Sequence, residues 1–274
     1  MKRIIYAFAG LLALSMCLSS CSMFKYDVLD GPNAQINGCL LDIVTGEKIG
    51  VETSNATNSS GYLVVVEQGW DAEAEQGWMV RFDGMYTNNL IFAGDYTFSA
   101  KYLPCYEPEK NTFTVKKGKN RMNISLLPFC RILNPEIKYQ GGKIVATFSV
   151  ELSDPSKANT IANVALCGNT QLFVGCNYQN LAKDDAGAKA KNVNVGETIT
   201  LEIDPELAAN VNSGLFGKNS VNGKPYVQDR YFRIAAMANG NGYNTNNYYN
   251  FSPIFKVSGD YSKIEIVEWD GNNW

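Results

Sequence analysis

Lys143-Ile144-Val145-Ala146-Thr147-Phe148-Ser149-Val150-Glu151-Leu152 decides the fold class of this chain. Ile144, Ala146, Phe148, Val150 and Leu152 alternate with more polar partners. A period of two puts one apolar face on an extended strand, whereas a helix would repeat every three or four residues. The same rhythm recurs upstream at residues 96–102, where Tyr96, Phe98, Ala100 and Tyr102 alternate with Thr97, Ser99 and Lys101. Between such segments stand Gly, Asn, Asp and Pro, and no long stretch has helical period. The pattern predicts an all-β chain of short strands.

Working outward, Lys143–Leu152 belongs to a set of seven expected strands. The others are Arg131–Tyr139, Ile161–Cys167, Gln171–Cys176, Thr198–Ile203, Tyr226–Ala238 and Tyr249–Val257. Seven short strands in this length suggest a two-sheet sandwich of immunoglobulin or fibronectin type, over residues 130–274. Residues 182–191 (AKDDAGAKAK) read as a short helix or a loop, and residues 204–209 as a helical turn. Pro128 and Pro135 mark a change of unit near Phe129. Before it, residues 33–129 form a first β-sandwich with expected strands Gln35–Asp42, Tyr62–Glu67, Trp78–Phe82, Tyr96–Tyr102, Asn111–Val115 and Arg121–Leu126. Thr45-Gly46 and Ser60-Gly61 are turn signals, and residues 116–120 (KKGKN) read as a hairpin between the last two strands. The whole is two tandem β-sandwich domains.

The N-terminus carries an address. Lys2 and Arg3 precede an almost wholly apolar run from Ile4 to Leu18, followed by Leu18-Ser19-Ser20-Cys21. The run is shorter than the roughly 20 residues of a comfortable membrane span, and its features are those of a secretory signal. A cysteine directly after the small residues reads as a lipobox. Residues 1–21 are then a lipoprotein leader ending on Cys21, which carries the lipid, and residues 22–32 are a tether. The mature protein is expected outside the cytoplasm, anchored to a membrane.

Composition narrows the function. The net charge of -3 offers no basic excess for nucleic acid. There are no histidines, which removes Ser-His and Cys-His nucleophile pairs, the usual zinc sites and the usual general base near neutral pH. The acid pairs Asp184/Asp185 and Glu73/Glu75 lie in polar stretches, where nothing would raise a carboxyl pKa as a glycosidase acid requires. The chain is read as no enzyme, with no cofactor and no metal. Beyond Cys17 and Cys21, five cysteines remain: Cys39, Cys105, Cys130, Cys167 and Cys176. None is spaced C-x-x-C. Buried free thiols are favoured, with Cys167 and Cys176 the pair that could meet across a turn.

Three clusters could contact a ligand, because a sugar needs flat aromatic faces and amides or carboxylates for its hydroxyls. The first is Trp70, Trp78, Tyr86, Asn88 and Asn89, which could equally close a sandwich core or touch another protein. The second is residues 239–249 (NGNGYNTNNYY), with Tyr243, Asn246 and Tyr248, whose Asn and Gly are first of all turn formers. The third is residues 268–274 (EWDGNNW).

Ile36-Asn37-Gly38-Cys39-Leu40-Leu41-Asp42 with Thr45-Gly46-Glu47-Lys48-Ile49 resembles the opening of the carboxypeptidase-regulatory-like, transthyretin-type sandwich. Residues 83–96 (DGMYTNNLIFAGDY), Glu67-Gln68-Gly69-Trp70 and the lipobox resemble uncharacterised two-domain surface lipoproteins of Bacteroidetes-type bacteria. Residues 230–236 (RYFRIAA) and 248–252 (YYNFS) look like the last two strands of the immunoglobulin-like domain in such proteins. Members are similar to accessory lipoproteins of starch-utilisation-type glycan importers. The resemblance implies a non-catalytic protein of the outer-membrane surface that binds glycan or assists an importer, with the membrane, a glycan, the importer and neighbouring lipoproteins as partners. It supplies no catalytic residue. The alternative is a docking module that binds neighbouring lipoproteins without touching sugar.

Overall fold

Two sets of packed sheets follow one another along the chain. The computed structural model describes residues 31–52, 61–179, 181, 185–212, 214–216, 220–221, 224–225 and 227–267. The expected leader with Cys21, most of the expected tether, and residues 268–274 lie outside the described residues.

The first set holds strands β1 (Ala34–Asp42), β2 (Tyr62–Glu67), β3 (Glu75–Met79), β4 (Met85–Ile91), β5 (Gly94–Tyr102), β6 (Thr112–Val115), β7 (Gly118–Arg121) and β8 (Ile124–Leu126). One sheet is built around β1, with β4 antiparallel on one side and β7 and β8 parallel on the other. The second sheet runs β3-β2-β5-β6, all antiparallel. Inward side chains of both sheets, among them Ile36, Leu40, Leu63, Val65, Trp78, Phe98 and Ala100, form one core. The alternation along β5 is what the period of two requires: Tyr96, Phe98 and Ala100 are buried and Thr97, Ser99 and Lys101 are not.

The second set holds β9 (Cys130–Gln140), β10 (Lys143–Leu152), β11 (Thr160–Asn169), β12 (Lys189–Val193), β13 (Ile199–Ile203), the short pair β14 (Ser220–Val221) and β15 (Lys224–Pro225), then β16 (Arg230–Asn239), β17 (Asn250–Phe251), β18 (Phe255–Val257) and β19 (Ile264–Ile266). A 3-10 turn covers Ala186–Ala188, and α1, the single α-helix among the described residues, covers Ala208–Asn212. One sheet is β13-β10-β9 and the other β12-β11-β16-β18-β19, with β17 also on β16. Their core takes Ile144, Ala146, Phe148 and Val150 from β10, the face read from the sequence. No helix among the described residues is long and apolar enough to cross a membrane.

Several expected elements differ. Residues 116–120 are no hairpin: β6 pairs with β5, while β7 leaves to lie parallel to β1. Asn120 stabilises this crossing by donating from Nδ2 to the carbonyls of Lys116, Gly118 and Gln35. Met85–Ile91 is a strand that the polar run Thr87-Asn88-Asn89 hides, with Thr87 and Asn89 exposed and Asn88 half-buried. The end of residues 182–191 is strand β12, not helix. Residues 171–176 form a loop with no strand, and the last expected strand splits at Ser252-Pro253, where proline cannot donate to a ladder.

β16 explains how the two sets join. RYFRIAAMAN is buried along nearly its whole length, as strands covered on both faces are. Phe232, Ile234, Ala236 and Ala238 enter the second core. The alternate Ala235 joins Ala165 and Cys167 of β11, Val174 and Ile254 in a separate cluster that includes Phe82 of the first set. This outward face is the seam between the two halves.

Candidate functional site

Arg233 sits on that outward face of β16 and is only 2% exposed. Its Nε donates to Ser252 O at 2.9 Å, Nη1 to Val51 O at 3.0 Å and Nη2 to Phe82 O at 2.8 Å. Two of the three acceptors belong to the first half. Its guanidinium lies 4.3 Å from the Phe251 ring centre. Burial pulls its pKa down to about 10, against the favourable charge of the buried Glu52, so it remains a cation at neutral pH. Glu52 in turn accepts from the Cys176 N–H at 2.9 Å. Two glycines permit these approaches. A Cβ on Gly50 would stand 1.8 Å from Arg233 Nη2, and one on Gly175 would stand 2.0 Å from Glu52 Oε1. Asn250 adds a third tie, donating to Pro104 O at 2.9 Å and accepting from Cys130 N at 3.2 Å.

Beside the seam opens a cleft of about 750 Å³ walled by both halves, within the size range of small-ligand sites. Its floor is apolar: Ile49 and Phe82 from the first half, Ile132, Leu133, Phe251 and Ile254 from the second. One wall is an ion pair between Asp42 and Arg131, bonded through both guanidinium arms, with Nη2 to Oδ1 at 2.9 Å. Arg131 also reaches Glu151 at 3.2 Å. Burial would raise the Asp42 carboxyl, but the bonds from Arg131 and from the Val44 N–H outweigh it and hold the pKa below its ordinary value. Asp42 is therefore an anion committed to its partner, the wrong state for a general acid. The rim carries Thr45, Glu47, Lys48 and Asn134, all exposed. Asn134 stands at φ 48, a conformation asparagine tolerates better than most residues.

Among the described residues, none of the ligand candidates read from the sequence lines this cleft, and the third cluster, residues 268–274, lies outside them. Trp78 and Tyr86 are 3% and 1% exposed and lie 6.1 Å apart in the first core. They are corrected here from ligand contacts to packing residues, and the Tyr86 hydroxyl donates to Met122 O at 2.6 Å. Trp70 is 48% exposed and meets Phe92 edge-on at 6.4 Å. Asn88 turns its Oδ1 back to the Leu90 N–H at 3.0 Å, and Asn89 is exposed. Tyr243 is exposed against Tyr106 at 5.2 Å, Asn246 is exposed, and Tyr248 is half-buried. The loop that carries them is built from within. Asn241, Asn244 and Asn247 all adopt positive φ, and buried Asn244 donates to Ala238 O and Tyr248 O while accepting from the Tyr248 N–H at 2.7 Å.

The acid pairs also resolve. Asp185 is buried, not solvated: it accepts from Gly187 N at 3.1 Å and Asn210 Nδ2 at 2.6 Å, tying the 3-10 turn to α1. Asp184 lies outside the described residues. Glu75 pairs with Lys101 at 2.7 Å and Glu73 is exposed. No group of three or more metal-ligating side chains occurs among the described residues. Sequence reasoning missed Arg233, Glu52, Asp42 and Arg131. The available signal was an arginine inside an otherwise apolar strand, Arg233 in FRIAAMA, since a fully buried charge needs partners.

A protein from Bacteroides uniformis described as a "putative carbohydrate binding protein" is 28% identical, with a TM-score of 0.67 over 83% of this chain and 100% of that one. DUF3823 family proteins from Parabacteroides merdae (19% identity, TM-score 0.63, 83% of this chain and 99% of that one) and Bacteroides ovatus (21%, 0.60, 82% and 98%) share the fold. No curated protein matches the chain. Residues 34–126 match the N-terminal domain of DUF3823, a protein of unknown function. The likeness to that family is carried by this N-terminal segment, and the two DUF3823 proteins extend it as a shared fold.

Proposed function

We propose that this protein is a non-catalytic glycan-binding lipoprotein of the bacterial cell surface, and that the cleft beside the seam holds the sugar. The observation that carries the reading is the division of labour in that cleft. An apolar floor whose half-buried Ile132, Leu133 and Phe251 are its accessible part offers the surface on which the C–H faces of pyranose rings pack. The rim of Thr45, Glu47, Lys48 and Asn134 offers hydroxyl, carboxylate, ammonium and amide groups for sugar hydroxyls. The 28% identical relative described in terms of carbohydrate supports the same class of ligand. Lipid on Cys21 would hold the protein beside a glycan importer, where tethering raises effective concentration and weak binding suffices.

The test is affinity electrophoresis of the chain carrying Cys21→Ser against plant, host and microbial polysaccharides. Retardation by one polymer class is expected. Glu47→Ala with Lys48→Ala should weaken it about tenfold, the effect of losing a charged hydrogen bond, and Trp70→Ala should leave it unchanged. Loss with Trp70→Ala alone would move the site to the Trp70–Phe92 pair. No retardation by any polymer overturns the reading.

A second reading has its own observation. Ile43 and Val44, 63% and 70% exposed, project beside the cleft rim. A docking module would use them against a neighbouring lipoprotein. In that case Ile43→Ser with Val44→Ser would abolish co-purification with a partner and leave polysaccharide migration untouched.

A further inference from the structure

The loop after β11 is the latch by which the second half grips the first. Val174 packs with Phe82 in the seam cluster, and Phe173 meets the Phe82 ring edge-on at 5.3 Å. The Cys176 N–H binds Glu52, and Gly175 is the residue whose missing Cβ lets that carboxylate in. The loop is tied to itself as well: Gly175 N donates to Tyr178 O at 3.1 Å, Asn169 Nδ2 to the same carbonyl at 3.2 Å, and Gln179 Nε2 to Cys176 O at 3.0 Å. All of this hangs on β11 at residues 167–169. There, Cys167 Sγ lies 3.4 Å from Cys176 Sγ, in van der Waals contact and unbonded.

We propose that Cys167 and Cys176 form a disulfide that fastens this latch on Glu52 and Phe82. The two sulfurs already face one another across nine residues, so closure to a bond of about 2 Å asks for a shift smaller than a bond length. The remaining thiols, Cys39, Cys105 and Cys130, are free and buried. Cys176 is the half-buried partner and Cys167 the fully buried one. That order suits exchange. The Cys176 thiolate attacks a sulfur of an oxidant disulfide, releasing one thiol. The Cys167 sulfur, having lost its proton, then attacks Cys176 Sγ and releases the second. Two thiols are oxidised, one external disulfide is reduced to two thiols, and two protons pass to the released thiolates. The Cys167 sulfur and burial both hold the Cys176 thiol above its usual pKa, so closure accelerates as pH rises toward that value.

The oxidant is a disulfide reagent of the kind found outside the cytoplasm. For the cellular protein the proposal therefore rests on the exported reading; the pairing itself does not. The test uses the full chain in two samples, one taken from the bacterial envelope under alkylation and one treated in vitro with oxidised glutathione. Cleavage after Lys157 and Lys183 releases both cysteines on one peptide, residues 158–183. The expected peptide takes up no alkylating reagent and is lighter than the dithiol form by two hydrogen atoms. Thiol reductant should then lower the melting temperature by about 5 °C, the size expected for opening a ten-residue loop, and should have no such effect on Cys176→Ser. Doubly alkylated peptide in both samples overturns the pairing. A disulfide in the glutathione sample with free thiols in the envelope sample keeps the geometry and overturns its use in the cell. Migration on polysaccharide gels reads the glycan assignment separately.

Discussion

The seam and the cleft rim lie within a few residues of one another, yet they treat polar groups in opposite ways. At the seam, Arg233 donates through all three of its nitrogens to carbonyls, and Asn250 uses both ends of its amide. At the rim, Glu47 and Asn134 are exposed. Lys48 and Thr45 flank Glu47 on the same turn. Buried polar groups must be paired or they destabilise the fold, whereas exposed ones already have water. A ligand can therefore gain little by competing at the seam and much by replacing water at the rim. The seam makes the two halves one framework, and the rim is what that framework presents.

The comparison yields a graded series of outcomes. Arg233→Met should have the largest effect. It strands the Ser252 and Val51 carbonyls, removes one of two donors from the Phe82 carbonyl and takes the nearby cation from Glu52, and should lower unfolding free energy by about 3–5 kcal/mol in chemical denaturation. A loss no greater than that of a rim variant would erase the distinction. Asn250→Ala removes the acceptor of the Cys130 N–H and one of the two donors to the Pro104 carbonyl inside the seam, and should lower stability by about 2 kcal/mol on the same measurement. Gly50→Ala puts a methyl group against Arg233 Nη2 and should cost about 1–3 kcal/mol.

Acid sharpens the contrast further. The Asp42 carboxyl is held below its ordinary value in the folded chain. Its contribution is therefore present above the unfolded carboxyl range and fades as pH falls through the folded value. Melting temperature should drop on acidification below about pH 4, and Asp42→Asn should flatten that part of the profile. Glu47→Ala stands at the far end. It should move stability by less than about 0.5 kcal/mol while weakening any sugar bound in the cleft.

The first two of the three clusters flagged in the sequence teach a related lesson. Trp78 and Tyr86 have the composition of a sugar platform and are consumed by packing, while Trp70, eight positions before Trp78, stays at the surface. Nothing local separates them. Trp78 lies on β3, whose buried face meets β5 across β2, whereas Trp70 precedes the strand. The Asn/Gly loop was legible as a turn but not as one that closes on Asn244. That closure needs the Ala238 carbonyl at the end of β16 to accept from its amide.

What the sequence by itself determined is the β class and much of the core. Alternation of side chains along β5 and β10 is a property of the extended backbone, so it is written in every second residue. The five cysteines after Cys21 and the close spacing of Cys167 and Cys176 were equally plain. Tertiary structure alone decided what covers the other face of a strand. β16 reads as unpatterned because one face meets its own core and the other meets the first half, so Arg233, Glu52 and the cleft beside them came into being only when the two halves met. A period of two tells which side chains travel together; it carries no information about the surface they will find.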